Sequence, residues 1–85
     1  MDIKLGQIVY SRAGRDEGKR FIVVEVPDSI FAMIADGNLR RIEKPKRKKL
    51  KHLELTDQVI ENLNYKLTND IKVTNADIRK AMEVL

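Results

Sequence analysis

GQIVYSRAGRDEGKRFIVVEV, residues Gly6 to Val26, is the stretch on which the reading of this chain turns. Two β-rich runs, Ile8-Val9-Tyr10 and Phe21-Ile22-Val23-Val24, flank a polar loop, Ala13-Gly14-Arg15-Asp16-Glu17-Gly18-Lys19. β-Branched and aromatic side chains suit a pleated, partly buried sheet. Gly14 and Gly18 mark the bends of a tight connection, because glycine reaches positive φ without strain. Asp16 reads as a turn residue whose carboxylate accepts from backbone N–H groups of its own loop. The stretch is therefore a hairpin with a rigid polar tip. A solvated turn in any small β protein fits the same residues.

Working outward, Leu5 to Arg12 is expected as the first strand and Phe21 to Val26 as the second, with Ile22, Val24 and Val26 sharing a face by alternation. Pro27-Asp28-Ser29 is a turn. Ile30 to Ala35 is the third strand, Asp36-Gly37-Asn38 a hairpin signal, and Leu39 to Glu43 the fourth strand, ended by Lys44-Pro45. A short strand around Leu50 to Leu53 closes the meander into a barrel, which hides its edges. After residue 55 the period becomes helical. Val59, Ile60, Leu63 and Leu67 mark one helix, with Thr56 or Asp57 as N-cap. Thr68-Asn69-Asp70 breaks the pattern. Thr74 and Asp77 then form a capping box ahead of a second helix carrying Ile78, Ala81, Met82 and Leu85. Neither helix is long enough to stand alone in water, so each packs on the other, on the barrel or on a partner.

Net charge is +4 over 85 residues, but its distribution matters more than the sum. Residues 1–39 carry a net −1, residues 40–52 a net +7, and residues 53–85 a net −2. A segment this basic favours a polyanionic partner. Arg40, Arg41, Lys44, Lys46, Arg47, Lys48, Lys49 and Lys51 can neutralise several phosphates, releasing counterions with little sequence preference. A solvated loop is the bland account of the same run. With only Tyr10, Phe21, Phe31 and Tyr65 as aromatics, and Phe21 and Phe31 expected in the core, a stacking platform is poorly supported. Structured RNA read by shape and backbone fits better.

Catalysis finds little support. His52 is the single histidine and lacks a carboxylate neighbour to orient it as a base. Ser11 has nothing to activate it, and no phosphate-cradling loop, nucleophile elbow or HExxH is present. No catalytic residue, metal site or cofactor is expected. The absence of cysteine fits a reducing compartment, and the lack of an apolar leader or membrane-length run points to a cytoplasmic protein.

The run Gly6-x-Ile8-Val9-x-Ser11-x-x-Gly14-Arg15-Asp16-x-Gly18-Lys19 resembles a KOW motif, the strand–loop–strand element of ribosomal proteins and transcription elongation factors. Ala35-Asp36-Gly37-x-x-Arg40 and the run from Glu43 to Leu53 extend the likeness to KOW-domain RNA-binding proteins of bacterial type, which are similar to archaeal and eukaryotic large-subunit ribosomal proteins. That resemblance covers roughly the first two thirds of the chain. It implies a mostly β fold, a small SH3-like barrel over residues 1–55, that contacts RNA without catalysis; the helical extension over 56–85 is expected from the helical spacing above, and the residues after Leu55 add little to the likeness. It gives Arg15 and Lys19 to the phosphates and assigns the loop's shape to Gly14, Asp16 and Gly18. The full expected RNA-binding set is Arg12, Arg15, Lys19, Arg20, Arg40, Arg41, Lys44, Lys46, Arg47, Lys48, Lys49, Lys51 and His52. Ribosomal RNA or the ribosome is the expected partner, with residues 56–85 open to a protein. The competing readings are a protein-interaction barrel and a transcription-complex KOW module.

Overall fold

The computed structural model describes residues 2–83. Its strands are β1 (Gln7–Ser11), β2 (Arg20–Glu25), β3 (Phe31–Ala35), β4 (Lys46–Lys49) and β5 (Leu53–Val59), followed by helices α1 (Glu61–Thr68) and α2 (Asn75–Glu83). The strands form one antiparallel sheet in the order β4-β3-β2-β1-β5, an SH3-like, barrel-type arrangement. A 3-10 turn, Leu50–His52, joins the two edge strands β4 and β5. Register shifts between Gln7 and Val9 on β1, and between Val23 and Glu25 on β2, bend the sheet.

Both faces of the central strands are covered. Val9, Phe21, Val23, Ala32, Ile34 and Leu53 fill the inside of the curve. Ile8, Ile22 and Ala35 point the other way and meet Leu63 of α1, Val73 of the connection before α2, and Ile78 of α2. This is why Phe21-Ile22-Val23-Val24 is continuously apolar: a strand buried on both faces loses the alternation of a half-wet one. The expected common face of Ile22, Val24 and Val26 is corrected accordingly. Val24 packs with Ile22 on the helix side, while Val26 joins the inner cluster, because the irregularity after Val23 reverses the side on which later residues emerge.

Two further expectations change. Leu39 to Glu43 is not a strand; the fourth strand lies within the basic run, at Lys46–Lys49. The Asp36-Gly37-Asn38 signal makes a local loop instead, with the Asp36 carboxylate accepting from the N–H groups of Asn38 and Arg40, both at 2.9 Å. Leu50–His52, expected as a strand, is a 3-10 turn, and the fifth strand runs on to Val59. Thr56 and Asp57 therefore sit in β5 and cap nothing; α1 starts after Ile60. The capping box of α2 forms as expected. Thr74 donates its N–H to the Asp77 carboxylate at 2.9 Å, and Asp77 returns its N–H to the Thr74 hydroxyl at 3.1 Å. Ile78 is buried, and Ala81 and Met82 lie against the same cluster; Leu85 is outside the described residues. No helix among the described residues is long and apolar enough to cross a membrane.

Candidate nucleic-acid interface

The loop between β1 and β2 contains a 3-10 turn, Gly14–Asp16. Gly14 and Gly18 have φ of 77° and 84°, so both bends use the left-handed region that glycine enters freely. Backbone bonds close the loop at its base: Gly18 N–H to Ser11 O at 2.8 Å and Ser11 N–H to Lys19 O at 3.0 Å. The buried Ser11 hydroxyl donates to Ala13 O at 3.0 Å. Arg15 and Lys19 are exposed beside this rigid turn.

Asp16 does not bond its own loop's amides, as its residue type led us to expect. Its carboxylate, only 6% exposed as a residue, is the meeting point of three cations: Arg40 at 3.2 Å, Lys46 at 3.5 Å and Lys19 at 3.8 Å. Burial pushes the Asp16 carboxyl up. The hydrogen bond from Arg40 and the charges of Arg40 and Lys46 outweigh that and hold it below the ordinary carboxylate value of 3.8. A second tie runs alongside, where the Lys48 ammonium donates to Ala13 O at 2.8 Å. The tip is thus stapled to β4 and to the loop before it by ion pairs between residues far apart in sequence. Three cations against one carboxylate leave this corner positive.

The basic run does not present one continuous surface. As a strand, it alternates. Lys46 and Lys48 pair with Ile34 and Ala32 on the inner side and reach to the tip. Arg47 and Lys49 pair with Met33 and Phe31 on the outer side and are exposed. Lys48 is buried at 9% exposure, so its charge is spent on Ala13 rather than offered to solvent. Phe31, expected in the core, is half-buried and carries the Arg47 guanidinium over its ring, 4.0 Å from the centroid.

Other expected residues spread further. Arg20 donates to Met82 O at 2.9 Å and anchors α2. Arg41 pairs with Glu43 at 3.8 Å. Lys44 and Lys51 are exposed, Arg12 is exposed next to the tip, and its N–H bonds the carbonyl of half-buried His52. The structure therefore gathers Lys19, Arg40, Lys46 and Lys48 at the tip with Arg15 exposed on it, sends Arg47 and Lys49 to the other face of β4, and engages Arg20 and Arg41 with Met82 O and Glu43 instead.

Sequence reasoning missed the residues that hold Arg40 in reach of Asp16. Buried Asn75 accepts the Ile42 N–H at 2.8 Å and donates to the Glu43 carboxylate at 2.7 Å. Arg79 donates to Gly37 O at 2.6 Å. Gly37 has φ of 77°, and a Cβ there would stand 2.5 Å from Asn75 O. Helix α2 thereby clamps the loop that carries Arg40. Gly37 beside an Asx-type turn was the available signal; Asn75, a polar residue at a helix start, gave none.

No family model matches the chain. Similarity to individual proteins is more informative. Over 71 residues it is 32% identical to "Large ribosomal subunit protein eL14" of Methanococcus maripaludis, covering 84% of this chain and 86% of the relative. The chain belongs to the eL14 family. A second eL14, from Methanococcus vannielii, is 31% identical over 72 residues, 85% of this chain and 87% of its own. The eL14 of Staphylothermus marinus is 32% identical over 59 residues, 69% of this chain and 62% of its own. These named eL14 relatives are archaeal. Membership in a ribosomal-protein family sets the chain apart from the enzymes.

Proposed function

We propose that this chain is a non-catalytic, cytoplasmic RNA-binding protein of the large ribosomal subunit, gripping structured ribosomal RNA at the glycine-bent tip. The observation that carries the reading is the convergence of Lys19, Arg40 and Lys46 on buried Asp16, with Arg15 exposed beside them. Asp16 holds these long side chains near one geometry before any phosphate arrives, which lowers the ordering cost of binding. Arg15 and Arg40 supply planar forks for phosphate oxygens, and the lysines act as point charges. Arg12, Lys44 and His52 extend contact outward from the tip.

Within this reading the RNA-binding barrel, expected over residues 1–55, runs on to the end of β5 at Val59, and the helices that follow brace it through Asn75 and Arg79 while leaving Tyr65, at 62% exposure, free for a protein neighbour. A bacterial-type branch of the family is the finer assignment that the Lys44 to Leu53 run supports. Filter binding of the full chain to large-subunit RNA fragments, against duplex DNA as competitor, tests the proposal. Log affinity is expected to fall with log salt by about 0.7–0.9 per phosphate contacted. Salt-independent binding, or equal affinity for duplex DNA, overturns it in favour of a protein-interaction barrel or a transcription-complex module.

A further inference from the structure

The outer side of β4 holds a feature that the tip does not use. The Arg47 guanidinium lies over Phe31, 4.0 Å from the ring centroid. Arg47 is exposed, and Phe31 half-buried beneath it. The backbone that carries the ring is held in place: the Asp28 carboxylate accepts the N–H groups of Ile30 and Phe31, each at 2.8 Å, and Leu50 N–H donates to Ile30 O at 2.8 Å. Arg47 belongs to β4 and Phe31 to β3, so the pair is a diagonal cross-strand contact on one face. Attraction between cation and ring holds a normally mobile side chain flat. Its outer plane is then free to take a further layer.

Beside this plane, Lys49 is the direct cross-strand partner of Phe31. A shallow cleft of about 430 Å³ opens next to it, with Ile30 and Leu50 among its apolar walls and Lys49 and Lys51 at its rim. Ile30 is 56% exposed there. An apolar-floored, lysine-rimmed surface adjoining a flat guanidinium is chemically suited to one unpaired nucleotide, with its base on the plane and its phosphates at the ammonium groups.

We propose that Arg47, layered on Phe31, is a stacking platform for a single unstacked base of RNA, with Lys49 and Lys51 taking the adjoining phosphates. This rests on the RNA-binding reading above but concerns a second surface and a different ligand feature. The tip meets backbone phosphates of paired RNA; the platform selects an extruded base.

The test uses the full chain and two probes, a blunt RNA duplex and the same duplex with one bulged 2-aminopurine. The parent is expected to prefer the bulged probe by about tenfold, in the range of one base–side-chain stack, and to change 2-aminopurine fluorescence. Arg47→Lys keeps the charge and removes the plane. It is expected to lose the preference and the fluorescence change while keeping duplex affinity and salt slope. Phe31→Leu, which removes the ring that flattens Arg47, is expected to lower the preference without altering the salt slope. Equal parental affinity for both probes, or an unchanged preference in Arg47→Lys, overturns the platform and leaves RNA binding by the tip standing. Failure of the parent to bind either probe overturns the RNA reading itself, and the platform with it.

Discussion

Asp16 and Arg40 meet at 3.2 Å although 24 residues separate them. This contact closes the tip of the β1–β2 loop onto the loop that follows β3, and it turns a flexible glycine-rich connection into a fixed cationic corner.

Replacing Asp16 by Asn removes the charge and keeps the shape. Three cations then face one another without their common partner, and a loss of about 1.5–3 kcal/mol in unfolding free energy is expected, the scale of hydrogen bonds to charged groups. The pH dependence has a definite sign. The folded-state value lies below 3.8, so the carboxylate's contribution is present above the unfolded value and is lost as pH falls through the folded one. Thermal melts from about neutral pH down to about pH 2 should show a steeper acid decline in the parent than in Asp16→Asn. Parallel declines would remove Asp16 from the account of acid stability.

The four residues Lys46 to Lys49 are not equivalent. Lys48→Ala removes one of the two donors to the Ala13 carbonyl, leaving the Ser11 hydroxyl in place, and is expected to cost about 1 kcal/mol, the scale of one hydrogen bond. Lys49→Ala, on the exposed side, should stay within about 0.5 kcal/mol. Urea denaturation of the two variants decides the matter; equal midpoints would show that Lys48 is no staple.

Arg15→Ala should leave the melting temperature unchanged, since its side chain is exposed. Affinity for structured RNA should fall, and the salt slope should become shallower by about 0.7–0.9, one phosphate contact. An unaltered slope would take Arg15 out of the interface.

Gly18→Ala and Gly37→Ala separate strain from crowding. Both positions have positive φ, which costs an alanine roughly 1–2 kcal/mol. Open space surrounds Gly18, whereas a Cβ on Gly37 meets Asn75 O at 2.5 Å. Gly37→Ala should therefore destabilise clearly more, and should also weaken RNA binding by shifting the loop that carries Arg40. Equal melting temperatures for the two variants would refute the clamp by α2.

The glycine-bent tip, the β-rich flanks and the Thr74–Asp77 box were legible because each depends on local chemistry: positive φ at Gly14 and Gly18, branched side chains in a pleat, a side chain returning to its own helix start. The register of the basic segment was not legible. Lys46 to Lys49 have poor strand propensity and no apolar alternation, and they form β4 because the edge of β3 offers a ladder and because Asp16 and Ala13 accept two of the four charges.

What the sequence by itself determined is that a tight hairpin tip and an excess of positive charge occur in one small, mostly β chain, since residue type fixes backbone freedom and charge wherever the residue lies. Only the tertiary structure decided which cations share a corner. Alternation along a strand sends neighbouring side chains to opposite faces, and a buried carboxylate then draws Lys19, Arg40 and Lys46 together from three separate parts of the chain.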